Sequence, residues 1–226
     1  MRLLTGILLA LAALTVPVSY AAAQQVPNSF RFQEATIAGI RDAFAAGQLT
    51  CAQLTKLYLA RIDAYDRRGP SLHAIITVNP RAMETATEMD RQYAANRSGV
   101  GPLHCIPIIL KDNFDTSDMP TTAGNIAMKN SLPPADAFAV QKIRKAGALI
   151  LVKANMSEFA RGGMSLSSLA GQVLNPYDLA RTPGGSSGER QLPRTSPLSG
   201  RGAILASRSG RLLPRTIWSA FDRPEA

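Results

Sequence analysis

Cysteine and histidine are scarce in this 226-residue chain, two of each, Cys51, Cys105, His73 and His104. The two histidines have no spacing suited to a zinc site. A Ser-His-Asp triad would have to use one of the two histidines, and both read as structural. One disulfide can form between the two cysteines in an oxidising compartment. Cys51 is expected to open a helix and Cys105 to sit in the strand before Lys111, so a bridge is geometrically possible; two separately buried thiols are the alternative. The chain has no internal repeat, and its glycine-rich loop lacks the Gly-Lys-Ser or Gly-Lys-Thr end of a phosphate cradle.

The longest apolar run, Leu3 to Val18, falls short of the roughly 20 residues of a membrane-spanning helix. With Arg2 before it and Ala21-Ala22-Ala23 after it, residues 1 to 23 read as a secretory signal. The expected location is therefore secreted or periplasmic, with no membrane association once the leader is removed. The net charge of +9 is unevenly placed. Residues 24 to 188 hold 17 Lys plus Arg against 13 Asp plus Glu, whereas residues 189 to 226 hold seven arginines, three acids and no lysine. A nucleic-acid partner is not inferred from a charge carried so largely by a tail of different composition.

The body alternates helical and strand patterns, the rhythm of an α/β sheet. Ile37, Ile40 and Phe44 recur at helical spacing within residues 33 to 47, with Gly47 at the stop. Thr50 can cap a second helix with Leu54, Leu57, Tyr58 and Ile62 inward and Lys56 and Asp63 outward. Residues 74 to 78 read as a short buried strand, 80 to 95 as a helix, and 106 to 110 as a strand. Residues 136 to 146 form a helix with Val140 and Ile143 inward, and 148 to 152 another buried strand. Asp112 to Gly124 has turn chemistry throughout, Ser157 or Asn155 can cap a short helix with Glu158 in its first turn, and Gly162 to Gly171 reads as a flexible loop.

Two segments carry candidate chemistry. The run Ile106 to Leu110 delivers Lys111 to its end and can bury the stem of that lysine; desolvation disfavours ammonium, so the amine can serve as a base. A solvated strand-end charge is the plainer alternative. About seventy residues on, Thr182-Pro-Gly-Gly-Ser-Ser-Gly188 supplies hydroxyls on a loop whose glycines permit backbone conformations costly to other residues.

Gly101 to Asn113, Gly147 to Ala160, Asn175-Pro176 and Thr182 to Gly188 together resemble the amidase signature family of Ser-Ser-Lys amidohydrolases, with four motifs in family order within residues 33 to 188. The resemblance implies an α/β fold, the N-terminal portion of the family's α/β/α domain with its mixed sheet, here incomplete. Apolar faces would then stay uncovered where further strands pack. It implies Lys111 as base, Ser186 as proton relay following a cis bond at Gly185, and Met156, Ser157, Gly185 and Ser187 as residues lining the substrate site. It implies a small-molecule carboxylic amide as substrate and no metal or organic cofactor. The tRNA-linked amidotransferase of the family is disfavoured by the export signal.

The family's nucleophilic serine is missing, because the resemblance stops at Glu189. Taking the last base of each codon with the first two of the next, the stretch from the last base of the codon for Ser199 to the first two bases of the codon for Gly210 can encode, by choice of synonymous codons, Gly-Thr-Gly-Ser-Asp-Thr-Gly-Gln-Ser-Ile-Arg, which looks like the missing motif. The nucleophile's codon is then split between Ser207 and Arg208. A one-base or seven-base deletion near the codons of Gly188 and Glu189 accounts for this. Residues 24 to 188 are accordingly read as a partial domain and 189 to 226 as a frameshifted tail expected to be disordered. Two functions remain open: an amide hydrolase by family, or an inactive secreted fragment without its nucleophile.

Overall fold

The computed structural model describes Phe30, residues 35 to 186 and the strand Ile204–Leu205. The leader, Ser187, Gly188 and the rest of the tail lie outside the described residues.

Helix α1 (Ile37–Ala45) starts at Thr36, whose hydroxyl accepts the Gly39 amide at 3.0 Å, and buries Ile40, Ala43 and Phe44. It is shorter than the expected 33 to 47 because that cap fixes its first turn; Gly47 follows its end with φ +67°. Helix α2 (Cys51–Ile62) carries a reciprocal cap, in which Thr50 accepts the Gln53 amide and Gln53 accepts the Thr50 amide. Asp90 adds its two oxygens to the amides of Cys51 and Ala52 at 2.6 and 2.9 Å, so the helix start is fully saturated. Leu54, Tyr58 and Ile62 are buried as expected, whereas Thr55 takes an inward place and Leu57 is only half-buried. A wider turn, Asp63–Arg67, continues the helix and buries Asp66, which accepts the amides of Ala74 and Ile75. Burial raises the Asp66 carboxyl above its ordinary range, against the pull of those two bonds.

Strands β1 (Ile75–Val78), β2 (Pro107–Lys111) and β3 (Leu149–Ala154) join β6 (Ile204–Leu205) in one sheet of order β1-β3-β2-β6. Strand β1 runs antiparallel to β3, while β2 is parallel to both β3 and β6, which makes the mixed sheet of the expected α/β class. All six residues of β3 and four of five in β2 are buried, as continuous apolar runs at the centre of a covered parallel sheet should be. Strand β1 was expected to be buried but is half-buried along its whole length, because it stands at the sheet's edge. Helix α3 (Ala82–Ala95) follows β1, and α4 (Phe138–Lys145) supplies the crossover from β2 to β3, with Val140 and Ile143 inward.

Three expectations are corrected by the structure. The segment 162 to 171 is not a featureless loop: β4 (Leu166–Ser167) and β5 (Gly171–Gln172) pair antiparallel within and beyond it. Its serines supply the ordering contacts, among them Ser167 Oγ accepting the Ala170 amide at 3.0 Å. Within the tail expected to be disordered, Ile204 and Leu205 instead pair with Ile109 and Leu110, an apolar dipeptide meeting the edge of β2. Cys105 lies in the turn before β2, with φ +53°, rather than in the strand.

Cys51 and Cys105 form a disulfide with Cα atoms 5.7 Å apart, joining the first turn of α2 to the approach of β2. His104 beside it stacks on Tyr93 with ring centroids 5.3 Å apart and meets the edge of Phe44 at 6.3 Å. Among the described residues, no helix is long and apolar enough to cross a membrane, and no group of three or more His, Cys, Asp or Glu could hold a metal ion. Several large apolar side chains stay exposed, led by Phe138 at 74 % and Tyr177 at 64 %.

Two outcomes follow from this packing. The oxidised chain should show no thiol reactive to labelling without reductant, and replacing both cysteines by serine should lower stability by about 4 kcal/mol in thermal unfolding, the loop-closure effect for a separation of 54 residues. Desolvation holds the His104 imidazole below its ordinary pKa, with Asp90 pulling weakly the other way. The unfolded chain therefore binds the proton more readily, and stability should fall as pH drops through about 6.5. The slope should flatten in His104→Phe, read as melting temperature against pH.

Candidate active site

Parallel pairing of β2 with β3 aligns Leu110 with Lys153 and Lys111 with Ala154. Side chains alternate faces along a strand and cross-strand partners share one, so the two lysines leave neighbouring strand ends on opposite faces of the sheet. Both are buried, Lys111 at 1 % and Lys153 at 0 % exposure.

Lys111 reaches across 75 positions to Ser186, with Nζ 2.8 Å from Oγ. The serine is held from its backbone. Its carbonyl accepts the Ser157 amide at 2.9 Å, and the carbonyl of Gly184 accepts the Ser165 hydroxyl at 2.5 Å. Ser165 in turn donates its amide to Ser157 Oγ at 2.9 Å. Gly184 has φ +83°, and the Gly185–Ser186 bond is cis, at the position expected. A Cβ at Gly185 would lie 2.7 Å from the backbone of Gly163, so close backbone approach adds a second reason for glycine here.

Lys153 is clamped on the other face. Its Nζ donates to the carbonyls of Phe114 and Pro120 at 2.7 and 3.2 Å and to Thr121 Oγ1 at 2.9 Å, and stands 3.8 Å from Asp112 Oδ1. The other Asp112 oxygen accepts the Thr122 hydroxyl and the amides of Thr122 and Gly124. Burial raises the Asp112 carboxyl and lowers the Lys153 amine from their ordinary values, and their mutual attraction opposes both shifts. This pair pins the loop leaving Lys111. The loop then touches the segment that holds Ser186: Phe159 donates its amide to the Ala123 carbonyl at 2.8 Å, and Gly124, with φ +77°, leaves only 3.1 Å between a built Cβ and the Met156 carbonyl.

The structure thus brings Lys111, Ser186, Ser157 and Gly185 together. Met156 is fully buried, and Ser157 is 3 % exposed with its hydroxyl engaged by Ser165. Ser187 lies outside the described residues. Ser157 precedes a short 3₁₀ turn, Glu158–Ala160, without capping it through its side chain, contrary to the capping expectation; its hydroxyl is spent on Ser165. Glu158 instead accepts from Ser168 and Asn125, and those bonds hold its carboxyl below the usual range. Sequence reasoning missed Asp112, Lys153 and Ser165 as parts of the site. A lysine inside the apolar run Leu149 to Ala154, and an acid directly after Lys111, were the available signals for the first two.

A half-buried serine on a glycine-rich loop, paired with a buried lysine at a parallel strand end, defines a serine-lysine site on an α/β sheet. Comparison with known proteins gives that class its family. The Amidase family model matches residues 53–189, and the chain belongs to this family. It is 39% identical over 195 residues to a probable amidase of Arabidopsis thaliana, covering 82% of this chain and 37% of that protein. It is 44% identical over 145 residues to a glutamyl-tRNA(Gln) amidotransferase subunit of Acidothermus cellulolyticus, covering 64% and 28%. Among solved structures, the native peptide amidase of Stenotrophomonas maltophilia superposes with a TM-score of 0.67 at 41% identity, covering 71% of this chain and 34% of that one. The chain spans about a third of the length of these relatives.

The buried pair behind the site is open to a direct measurement. Lys153→Met leaves the Asp112 carboxylate buried without its counter-charge and should cost at least about 3 kcal/mol in denaturant unfolding. Adding Asp112→Asn should recover part of that loss, since the uncompensated charge is removed while the Pro120 carbonyl stays without its lysine donor.

Proposed function

We propose that this chain carries the base and the proton relay of an amidohydrolase acting on small-molecule carboxylic amides. The observation that supports this reading most directly is the 2.8 Å contact between Lys111 Nζ and Ser186 Oγ, two residues distant in sequence and matched to the family's first two roles. Lys111 accepts a proton through Ser186, and Ser186 takes it from an attacking serine supplied by the sequence that the tail has displaced. That serine bonds to the amide carbon, the amine leaves with the relayed proton, and water completes the cycle through an acyl-serine intermediate. Backbone amides beside the nucleophile stabilise the oxyanion. Met156, Ser157, Gly185 and Ser187 line the place where the acyl group lies.

Residues 189 to 226 are frameshifted sequence in this reading, and residues 1 to 23 direct export to a secreted or periplasmic location. No cofactor and no nucleic acid takes part. Likeness to the glutamyl-tRNA(Gln) amidotransferase favours a second role, amide transfer within a multi-chain assembly; the leader favours the exported hydrolase.

Losing the nucleophile of a hydrolase costs about 10⁶-fold in turnover. The chain as written should therefore show no hydrolysis of simple alkyl and aryl amides, while a gene restored in frame, with its downstream sequence, should show it. Lys111→Ala in the restored enzyme should reduce the rate by about 10² to 10⁴-fold, the range of general-base contributions. Amide hydrolysis by the written chain that disappears in Ser186→Ala would overturn the frameshift account. Full activity of the restored Lys111→Ala enzyme would overturn the base.

A further inference from the structure

We propose that, in the chain as written, Ser186 is itself a nucleophile toward activated acyl and phosphonyl donors, with Lys111 as its base. This rests on the Lys111–Ser186 pair, not on the displaced serine. A hydroxyl and an amine 2.8 Å apart, one of them buried at 1 % exposure, form the complete proton-transfer unit of a serine-lysine hydrolase. The pair is also prearranged. Ser157 and Ser165 tie down the carbonyls on both sides of the cis bond, and the Gly163 backbone closes against Gly185, so Oγ is presented from a fixed backbone. Ser186 is half-buried and Gly185 exposed, so the loop that carries the hydroxyl meets solvent.

The chemistry separates activated donors from amides. With an aryl ester, Oγ bonds to the carbonyl carbon, its proton passes to Lys111 Nζ, the bond to the aryl oxygen breaks, the phenolate leaves as the anion, and the ammonium releases its proton to solvent. Water then cleaves the acyl-serine with the same amine as base. With a fluorophosphonate, the Oγ–P bond forms as the P–F bond breaks, the Oγ proton passes to Lys111 Nζ, fluoride departs, and the adduct persists. Phenolate and fluoride are stable as anions, so neither needs the leaving-group protonation that an amide demands.

The test is fluorophosphonate labelling of the oxidised written chain, followed by intact mass and peptide mapping. One adduct per chain is expected, on Ser186, formed at least about 10²-fold faster than on the exposed serine Ser98, with Lys111→Met slowing it by about 10²-fold and Ser98→Ala leaving it unchanged. The urea-unfolded chain, which keeps every serine but loses the pair, should label Ser186 no faster than Ser98, and this arm requires no variant to fold. An adduct on another residue, no adduct, or equal rates with and without Lys111 in a folded variant would overturn the proposal. Those outcomes leave the relay reading standing, because a relay serine passes a proton without bonding to carbon; only amide turnover by the restored enzyme decides that reading.

Discussion

A lysine amine taken out of water must be given oxygen partners, and this fold takes out two, at the ends of adjacent strands. The one-residue offset between Leu110↔Lys153 and Lys111↔Ala154 sends them to opposite faces of the sheet. Lys153 is surrounded by two carbonyls, a hydroxyl and a carboxylate, a set that consolidates the loop from Asp112 to Gly124. Lys111 meets the hydroxyl of Ser186, on a loop that still has access to solvent. One buried amine therefore organises backbone and the other addresses a reactive group. The difference arises from which face each occupies, since both residues follow apolar runs of similar composition.

The supporting structure converges on those strand ends. The disulfide ties the start of α2 to the turn feeding β2, and Asp90 saturates the same helix start from α3, so the helical layer and the strand bearing Lys111 are linked covalently and by hydrogen bonds. On the far side of the site, the hairpin of β4 and β5 brings Ser165 against Ser157 and Gly184. Serines dominate these contacts because a short hydroxyl can bridge two backbone strands without filling the space that glycines leave open. The side chains of Phe159, Met164, Leu166 and Tyr177, in the segments between Ser157 and Ser165 and after them, stay exposed.

Much of this was legible in the sequence. Helical spacing located α1, α2 and α4 with their inward residues, and apolar runs located β2 and β3, because those elements are specified by local periodicity and by caps such as Thr36 and Thr50. The motifs around Lys111 and Ser186 named the two residues that the fold places in contact. Less visible were β1 as an edge strand, the hairpin within a Gly- and Ser-rich segment, and the pairing of Ile204–Leu205 with β2. The first and last depend on which strand lies alongside, and pairing between distant segments leaves little trace in local composition; the hairpin pairs only two residues of each strand, too few to show an alternating pattern.

The sequence by itself determined the α/β alternation, the two cysteines available for one bridge, and the lysine and serine capable of proton transfer. Only the tertiary structure decided that Cys51 and Cys105 meet, that Ser157 spends its hydroxyl on Ser165 instead of capping a helix, and that Asp112 and Lys153 stand behind the site as a buried pair. The reason is physical: side-chain type and periodicity are local properties of a chain, whereas the partner of a buried polar group is set by strand register and loop closure across dozens of residues, and burial makes finding that partner obligatory.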